Sequence, residues 1–141
     1  MITKNKTDSL ATLIKQADEV FSKYIRLRDS DEKYSFKVVC FICGKVERTE
    51  WAHAMHFIDR DQMSTRYDEM NVHAGCENCN CLDPDHKQRY SKAMAQKYSA
   101  DELSNLLWKG RSLQKFMRHE LEAIIEKYSA EVKKLRKEKR L

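Results

Sequence analysis

Two Cys-x-x-Cys pairs, Cys40-Phe41-Ile42-Cys43 and Cys76-Glu77-Asn78-Cys79, constrain this chain more than any other feature. A two-residue gap lets both sulfurs of a tight turn reach one ion, and Gly44, directly after the first pair, frees the backbone to curl. Two such turns complete a closed four-thiolate shell, which is the pattern of a structural Zn²⁺ site. The stretch between the knuckles is longer than in a compact zinc ribbon, so a folded segment must sit there. No strand-helix-strand pattern surrounds either pair, which argues against a redox dithiol. Cys81 has no partner in the pattern and reads as a free thiol. The opening residues Met-Ile-Thr-Lys-Asn-Lys lead into no apolar run, so neither a signal peptide nor a membrane anchor is expected. A reducing, intracellular setting follows, where cysteines serve metals rather than disulfides.

The rest of the composition points to helices. The 141 residues include three Gly and one Pro, which suits one domain with long helices rather than a turn-rich β fold. Charged residues make up 35% and hydrophobic ones 41%, and the middle third is short of apolar side chains, so a metal staple would help it fold. A net charge of +5 is compatible with a polyanionic partner without showing one.

Residues 8 to 28 carry an amphipathic pattern through Leu10, Leu13, Ile14, Ala17, Phe21, Tyr24, Ile25 and Arg28, with Asp8 or Ser9 as cap. Asp29 to Lys33 breaks it as a loop. Short β-prone runs follow at Phe36 to Val39 and Val46 to Trp51. A helix is predicted from Pro84 to Tyr98, with Asp83 as N-cap and Pro84 in the first helical position. Another starts at Ser99, where Ser99-Ala100-Asp101-Glu102 forms a capping box, and stops at Gly110. The last runs from about Ser112 to the end. Its stripe from Leu113 to Leu135 suits either a coiled coil or packing on the first helix. The final eleven residues hold six Lys or Arg and two Glu, a basic tail that suits solvent or a DNA backbone. The expected fold class is α+β, mostly helical. Residues 1–33 form an N-terminal helical arm, 34–98 a zinc-stapled core, and 99–141 a C-terminal helical region.

Four of the five histidines lie between His53 and His86. That density beside a zinc scaffold points to a second, functional metal. The order of His56, Asn71, and then Asn80 or His86 at a helix start is that of the HNH, or ββα-metal, nucleases. Such chemistry needs few parts. A neutral imidazole takes a proton from the attacking water, a divalent ion neutralises charge, and basic groups hold the phosphate. His56 fits the base, Asn71 the residue that ties the hairpin loop together, and Asn80 a ligand of the catalytic ion. His53, three positions before His56, would face the other side of a strand and could reach the ion while His56 reaches the water. His86 is a further candidate ligand, and His73 reads as structural. Arg60 and Arg66 are candidate phosphate clamps, with plain surface charge as the other reading.

The chain resembles the phage lambda NinG (Rap) recombination protein family. The resemblance rests on Phe21 to Ser30, Cys40-x-x-Cys43-Gly44-Lys45 and His56-Phe57-Ile58-x-Arg60. It continues through Arg66-Tyr67-Asp68-Glu69-x-Asn71-Val72-His73 and Cys76-x-x-Cys79-Asn80, and in Tyr90, Leu106 to Gly110 and Tyr128. It implies a phage endonuclease for branched recombination intermediates such as Holliday junctions and displacement loops. Structural Zn²⁺, catalytic Mg²⁺ or Mn²⁺, a DNA partner, no membrane and the cytoplasm of the bacterial host come with it. Three departures stand out: His53 replaces an Asp, Met55 a Gly, and Asp85-His86 a Gly-Asn pair. The histidines soften the site towards Mn²⁺ or Zn²⁺, and Met55 removes backbone freedom beside His56. A homodimer is the arrangement that symmetric cutting of two strands would call for. Two rival functions fit the same residues: a non-catalytic, zinc-stabilised DNA-binding recombination accessory, and an adaptor that dimerises through its last helix.

Overall fold

A computed structural model describes residues 8–141. The expectation about a leader or anchor falls on residues 1–7, outside the described residues. Helices form the larger part of a mixed α+β fold, and none is long and apolar enough to cross a membrane.

Helix α1 spans Leu10–Arg28, and Ser9 caps it by accepting from the Thr12 N–H at 3.1 Å. The chain then makes a three-stranded antiparallel sheet from β1 (Ser30–Asp31), β2 (Lys37–Val39) and β3 (Val46–Glu47). Ser30 faces Val38, and Val38 faces Glu47. Part of the segment expected as loop, Asp29 to Lys33, is therefore strand, followed by a 3₁₀ turn at Glu32–Tyr34. The strand expected from Val46 to Trp51 ends at Glu47, because Trp51 and Ala52 turn back to donate to the Arg48 carbonyl.

A two-stranded hairpin follows. Strand β4 (His53–His56) pairs antiparallel with β5 (Val72–Gly75), with His53 opposite Gly75 and His56 opposite Val72. The short helix α2 (Met63–Arg66) lies in the connecting loop. After β5 come a π-helical turn at Asn78–Leu82, then α3 (His86–Lys97), α4 (Ala100–Gly110) and α5 (Arg118–Lys139). Helix α3 starts two residues later than predicted. Asp83 does not cap it; its carboxylate accepts from the Asp85 N–H at 2.9 Å and from Arg89 at 2.6 Å, closing a turn that holds Pro84 outside the helix. The capping box of α4 forms, with Ser99 and Glu102 exchanging bonds at 3.0 and 3.1 Å. Gly110 closes α4 for a packing reason, since a Cβ there would lie 2.8 Å from Ile58 Cδ1. Residues 112–117, expected in the last helix, are not helical; α5 begins at Arg118, after the Met117 N–H has bonded Glu120 at 2.9 Å.

The apolar stripe of α5 lies on α1. Leu121 and Ile125 pack with Leu13 and Ala17, while Tyr128 and Val132 join Val20, Phe21 and Tyr24. The helices run parallel: Phe21 and Tyr128 rings meet at 4.8 Å, and further on Lys139 Nζ donates to the Leu27 carbonyl at 2.6 Å. That ammonium sits where α1 leaves its last carbonyls open. The same core takes in Val38, Ala52, Val72 and Ala74, so one cluster joins residues from all three segments into which the sequence divides. Arg28 clasps α1 to the hairpin. Its guanidinium donates to Asp29 (2.7 Å) and to the Glu69 and Val72 carbonyls (2.8 Å each), while Asp29 accepts from the Ala74 N–H at 2.8 Å.

Candidate functional site

The two knuckles come together. The four Sγ atoms of Cys40, Cys43, Cys76 and Cys79 all lie within 4.8 Å of one another, close enough to hold one metal ion such as zinc. The Cys43 and Cys76 sulfurs are 3.7 Å apart, which matches the edge of about 3.8 Å set by tetrahedral Zn–S bonds of about 2.3 Å. Each knuckle is shaped by its own backbone. Gly44 adopts φ +76°, its N–H bonds the Cys40 carbonyl at 2.9 Å, and the Lys45 N–H points at Cys43 Sγ at 3.5 Å. The Phe41 N–H donates to Ala74 of β5 at 3.1 Å, tying the first knuckle to the strand that leads into the second. Cys81 stays outside the cluster, exposed, with its thiol on the Glu77 carbonyl.

Beside the cluster opens a cleft of about 470 Å³ whose walls include His53, His56, Asn80, His86, Arg60 and Lys87. Strand alternation predicts His53 and His56 on opposite sides, yet both line the cleft. The two-stranded ribbon is free to twist, and His56 is its last residue. Met55, between them, is buried and does not line the cleft. It sits on Gly75, where a Cβ would come within 2.3 Å of Met55 Cε. Met55 takes no left-handed backbone conformation, so the glycine freedom expected beside His56 is not needed.

His56 Nε2 lies 3.0 Å from the Arg66 carbonyl. A carbonyl only accepts, so this nitrogen carries the proton and Nδ1 keeps its lone pair. Burial pushes the imidazole below its ordinary range. The carbonyl bond opposes that, and the charge of Arg60 adds to it. His86 is oriented the opposite way round: its Nδ1 donates to the Asp83 carbonyl at 2.8 Å, leaving Nε2 open. His53 Nδ1 and the Asn80 amide are 3.0 Å apart. The donors of these residues do not converge as the sulfurs do. Among the described residues, the cysteines are the sole group of His, Cys, Asp and Glu that does.

Asn71 does not line the cleft. It is fully buried, accepts from the Ile58 N–H at 2.7 Å, and donates to the Ile58 and Thr65 carbonyls at 3.0 Å each. It thereby pins both ends of the β4–β5 loop and, through it, the Arg66 carbonyl that orients His56. Arg66 departs from its expected part as a phosphate clamp. Its guanidinium is held by Asp18 (2.8 Å from Nε) and by the Arg60 carbonyl, and its side chain is 15% exposed. Arg60 stays 61% exposed, 3.9 Å from Asp18. His73 is buried away from the cleft, between the Tyr90 hydroxyl at 3.1 Å and the Tyr98 hydroxyl at 2.7 Å, and stacked on Phe41.

Sequence reasoning missed Asp18, Asp59, Lys87 and the part played by Tyr90. Asp18 is an ordinary polar residue of an amphipathic helix, and no local pattern tells that it will meet Arg66 and the Tyr67 hydroxyl (2.8 Å). Tyr90 Oη donates to the Met55 carbonyl at 2.7 Å and so locks α3 across the hairpin. Its place one turn after His86 was the available signal.

Fold and site together define a small mixed α+β protein with a four-cysteine cluster that could bind a metal and an adjoining histidine-lined cleft. The model of the family described as bacteriophage lambda NinG protein matches residues 1–138, and the chain belongs to that family of phage proteins. No curated protein and no solved structure matches it.

Proposed function

We propose that this chain is a metal-dependent DNA endonuclease that hydrolyses phosphodiester bonds in branched recombination intermediates, with a structural zinc in its four-cysteine cluster. The observation that carries the reading is the cleft. It gathers a neutral imidazole with an open Nδ1, two further histidines, an asparagine and two basic side chains on one wall system. The order of parts supports it as well: a hairpin with His56 at the end of its first strand, Asn71 fastening its loop, and Asn80 and His86 leading into the next helix. That is the arrangement of parts expected of an HNH nuclease.

His56 is the general base. Nδ1 takes a proton from the attacking water, while the Arg66 carbonyl holds the ring in the needed tautomer. Depressed basicity keeps the ring unprotonated at neutral pH. Arg60 and Lys87 line the same space and would hold the non-bridging oxygens of the phosphate. His53, Asn80 and His86 are the cleft residues that would hold a divalent ion once the His53–Asn80 contact at 3.0 Å opened and their donors drew together, and two imidazoles and an amide would favour Mn²⁺ or Zn²⁺ over Mg²⁺. When bound, that ion neutralises charge on the phosphate and the departing 3′ oxygen. The substrate class comes from the family resemblance.

The test is cleavage of a four-way junction and a matched linear duplex with Mg²⁺ or Mn²⁺. His56→Ala should lower the rate by about a hundredfold or more while folding, metal content and DNA binding stay intact. Cutting by that variant at the wild-type rate would sink the mechanism. Binding without any cutting by the native chain would leave a DNA-binding accessory.

A further inference from the structure

A second groove, of about 610 Å³, adjoins the cleft. Ser22 and Ala52 line the cleft, Lys23 and Glu50 line the groove, and Trp51 stands between them in the chain. Lys23 and Arg26 of α1, Lys37 of β2, Arg48 of the β3–β4 connection and Arg136 of α5 supply five cations to its walls. The lining holds one carboxylate side chain, Glu50, and Arg48 already bonds it.

Lys23 pairs with Glu19 at 3.8 Å, and the three remaining cations are poorly neutralised. Arg26 is half-buried and donates to backbone carbonyls alone, to Ser22 at 3.2 Å and Thr49 at 3.3 Å. None of Arg26, Lys37 and Arg136 meets a carboxylate among the described residues. Burial and the charge of Arg136 both work against the protonated form of Arg26. One fixed, half-buried cation beside two exposed ones, none of them paired with a carboxylate, favours a polyanion, whose phosphates supply the missing charge. At the rim, Trp51 is 61% exposed, and the Arg48 guanidinium lies over its ring at 4.7 Å. An exposed indole backed by a cation is a stacking surface for a base. A base can use it only where it is not already stacked in a duplex.

We infer that the groove seats the phosphodiester backbone of a second DNA strand, separate from the strand in the cleft, and that Trp51 stacks on an unpaired base where the two strands part. The inference deepens the nuclease reading and rests on it, since it explains how one small chain distinguishes a branch from a duplex.

The experiment measures binding rather than cutting, so its failure is separable from failure of the nuclease mechanism. The full chain carrying His56→Ala is titrated against a labelled forked DNA and the matched duplex by fluorescence anisotropy over a range of salt. The exposed pair Lys37→Gln and Arg136→Gln should weaken fork binding by about tenfold and lower the slope of log K against log salt by about two, with an unchanged melting temperature. Trp51→Ala should bring fork affinity down about tenfold, to that of the duplex, and leave duplex affinity within about twofold. In a Trp108→Phe background, the fork should quench the remaining indole emission and the duplex should not. A double variant that melts normally and keeps the wild-type affinity and salt slope overturns the groove. Equal loss of fork and duplex binding in Trp51→Ala overturns the stacking assignment.

Discussion

His73 is a histidine that this fold keeps without charge. Burial between two tyrosines and Phe41 brings its pKa down from 6.5 to about 4. Between those values the unfolded chain takes up a proton and the folded one does not. The stability it contributes is therefore complete above about pH 6.5 and is lost as pH falls towards 4. That amounts to roughly 3 kcal/mol at 1.36 kcal/mol per unit. Urea denaturation across that range should show the loss, and NMR should find the ring still neutral at pH 5. His56 shifts the same way, and under the proposed mechanism the acid limb of the pH–rate profile should lie below 6.5. Arg60→Gln removes a charge that depresses His56, so it should move that limb upward while also weakening substrate binding. Arg66 acts on the site through its carbonyl. Arg66→Gln should cost stability through the lost Asp18 pair, and a purely electrostatic loss of DNA affinity with no change in melting would contradict the pairing of Arg66 with Asp18.

Among the elements, the β4–β5 loop depends on one side chain. Asn71→Ala leaves the Ile58 N–H and the Ile58 and Thr65 carbonyls without their partner, which should cost about 3 kcal/mol by urea denaturation. It should also slow cutting more than it weakens DNA binding, because His56 loses its reference point. The opposite end of the hairpin is governed by close approach. Gly75→Ala would drive a methyl group into Met55 and within 3.0 Å of Cys40 Sγ. It should reduce both stability and metal occupancy, measurable together by thermal melting and metal analysis.

At the scale of the whole molecule, α5 has already buried its apolar stripe against α1, so it is not available as a coiled-coil seam. Leu121→Ala should lower stability by about 2–5 kcal/mol and leave the sedimentation coefficient of the native species unchanged. Stripping the metal acts on the other half. Purified protein should hold one zinc in the thiolate cluster. Cys76→Ser should lower metal content and melting temperature, while the α1–α5 pair keeps much of the helical circular dichroism.

Much of this was legible along the chain. Helix α1, its Ser9 cap, the Ser99–Glu102 box and the pairing of the four cysteines followed from spacing, because each is decided by residues close in sequence or by a metal geometry that tolerates few alternatives. The structural place of His73 and the loop-binding of Asn71 were also foreseeable. What spacing could not determine depends on contacts between distant segments. Asp18 reaches across 48 positions to Arg66 and holds an expected phosphate clamp in a partly buried ion pair. His53 and His56 line one cleft, against simple alternation. The choice between a coiled coil and a helix pair was open in the stripe of α5 and was decided by α1, which offers Leu13, Ala17 and Phe21 to it. By itself the sequence determined that two cysteine turns would come together, close enough to hold one ion, around a histidine-bearing insert. Only the tertiary structure decided which of those histidines share a cleft, because that depends on long-range packing that local patterns do not encode.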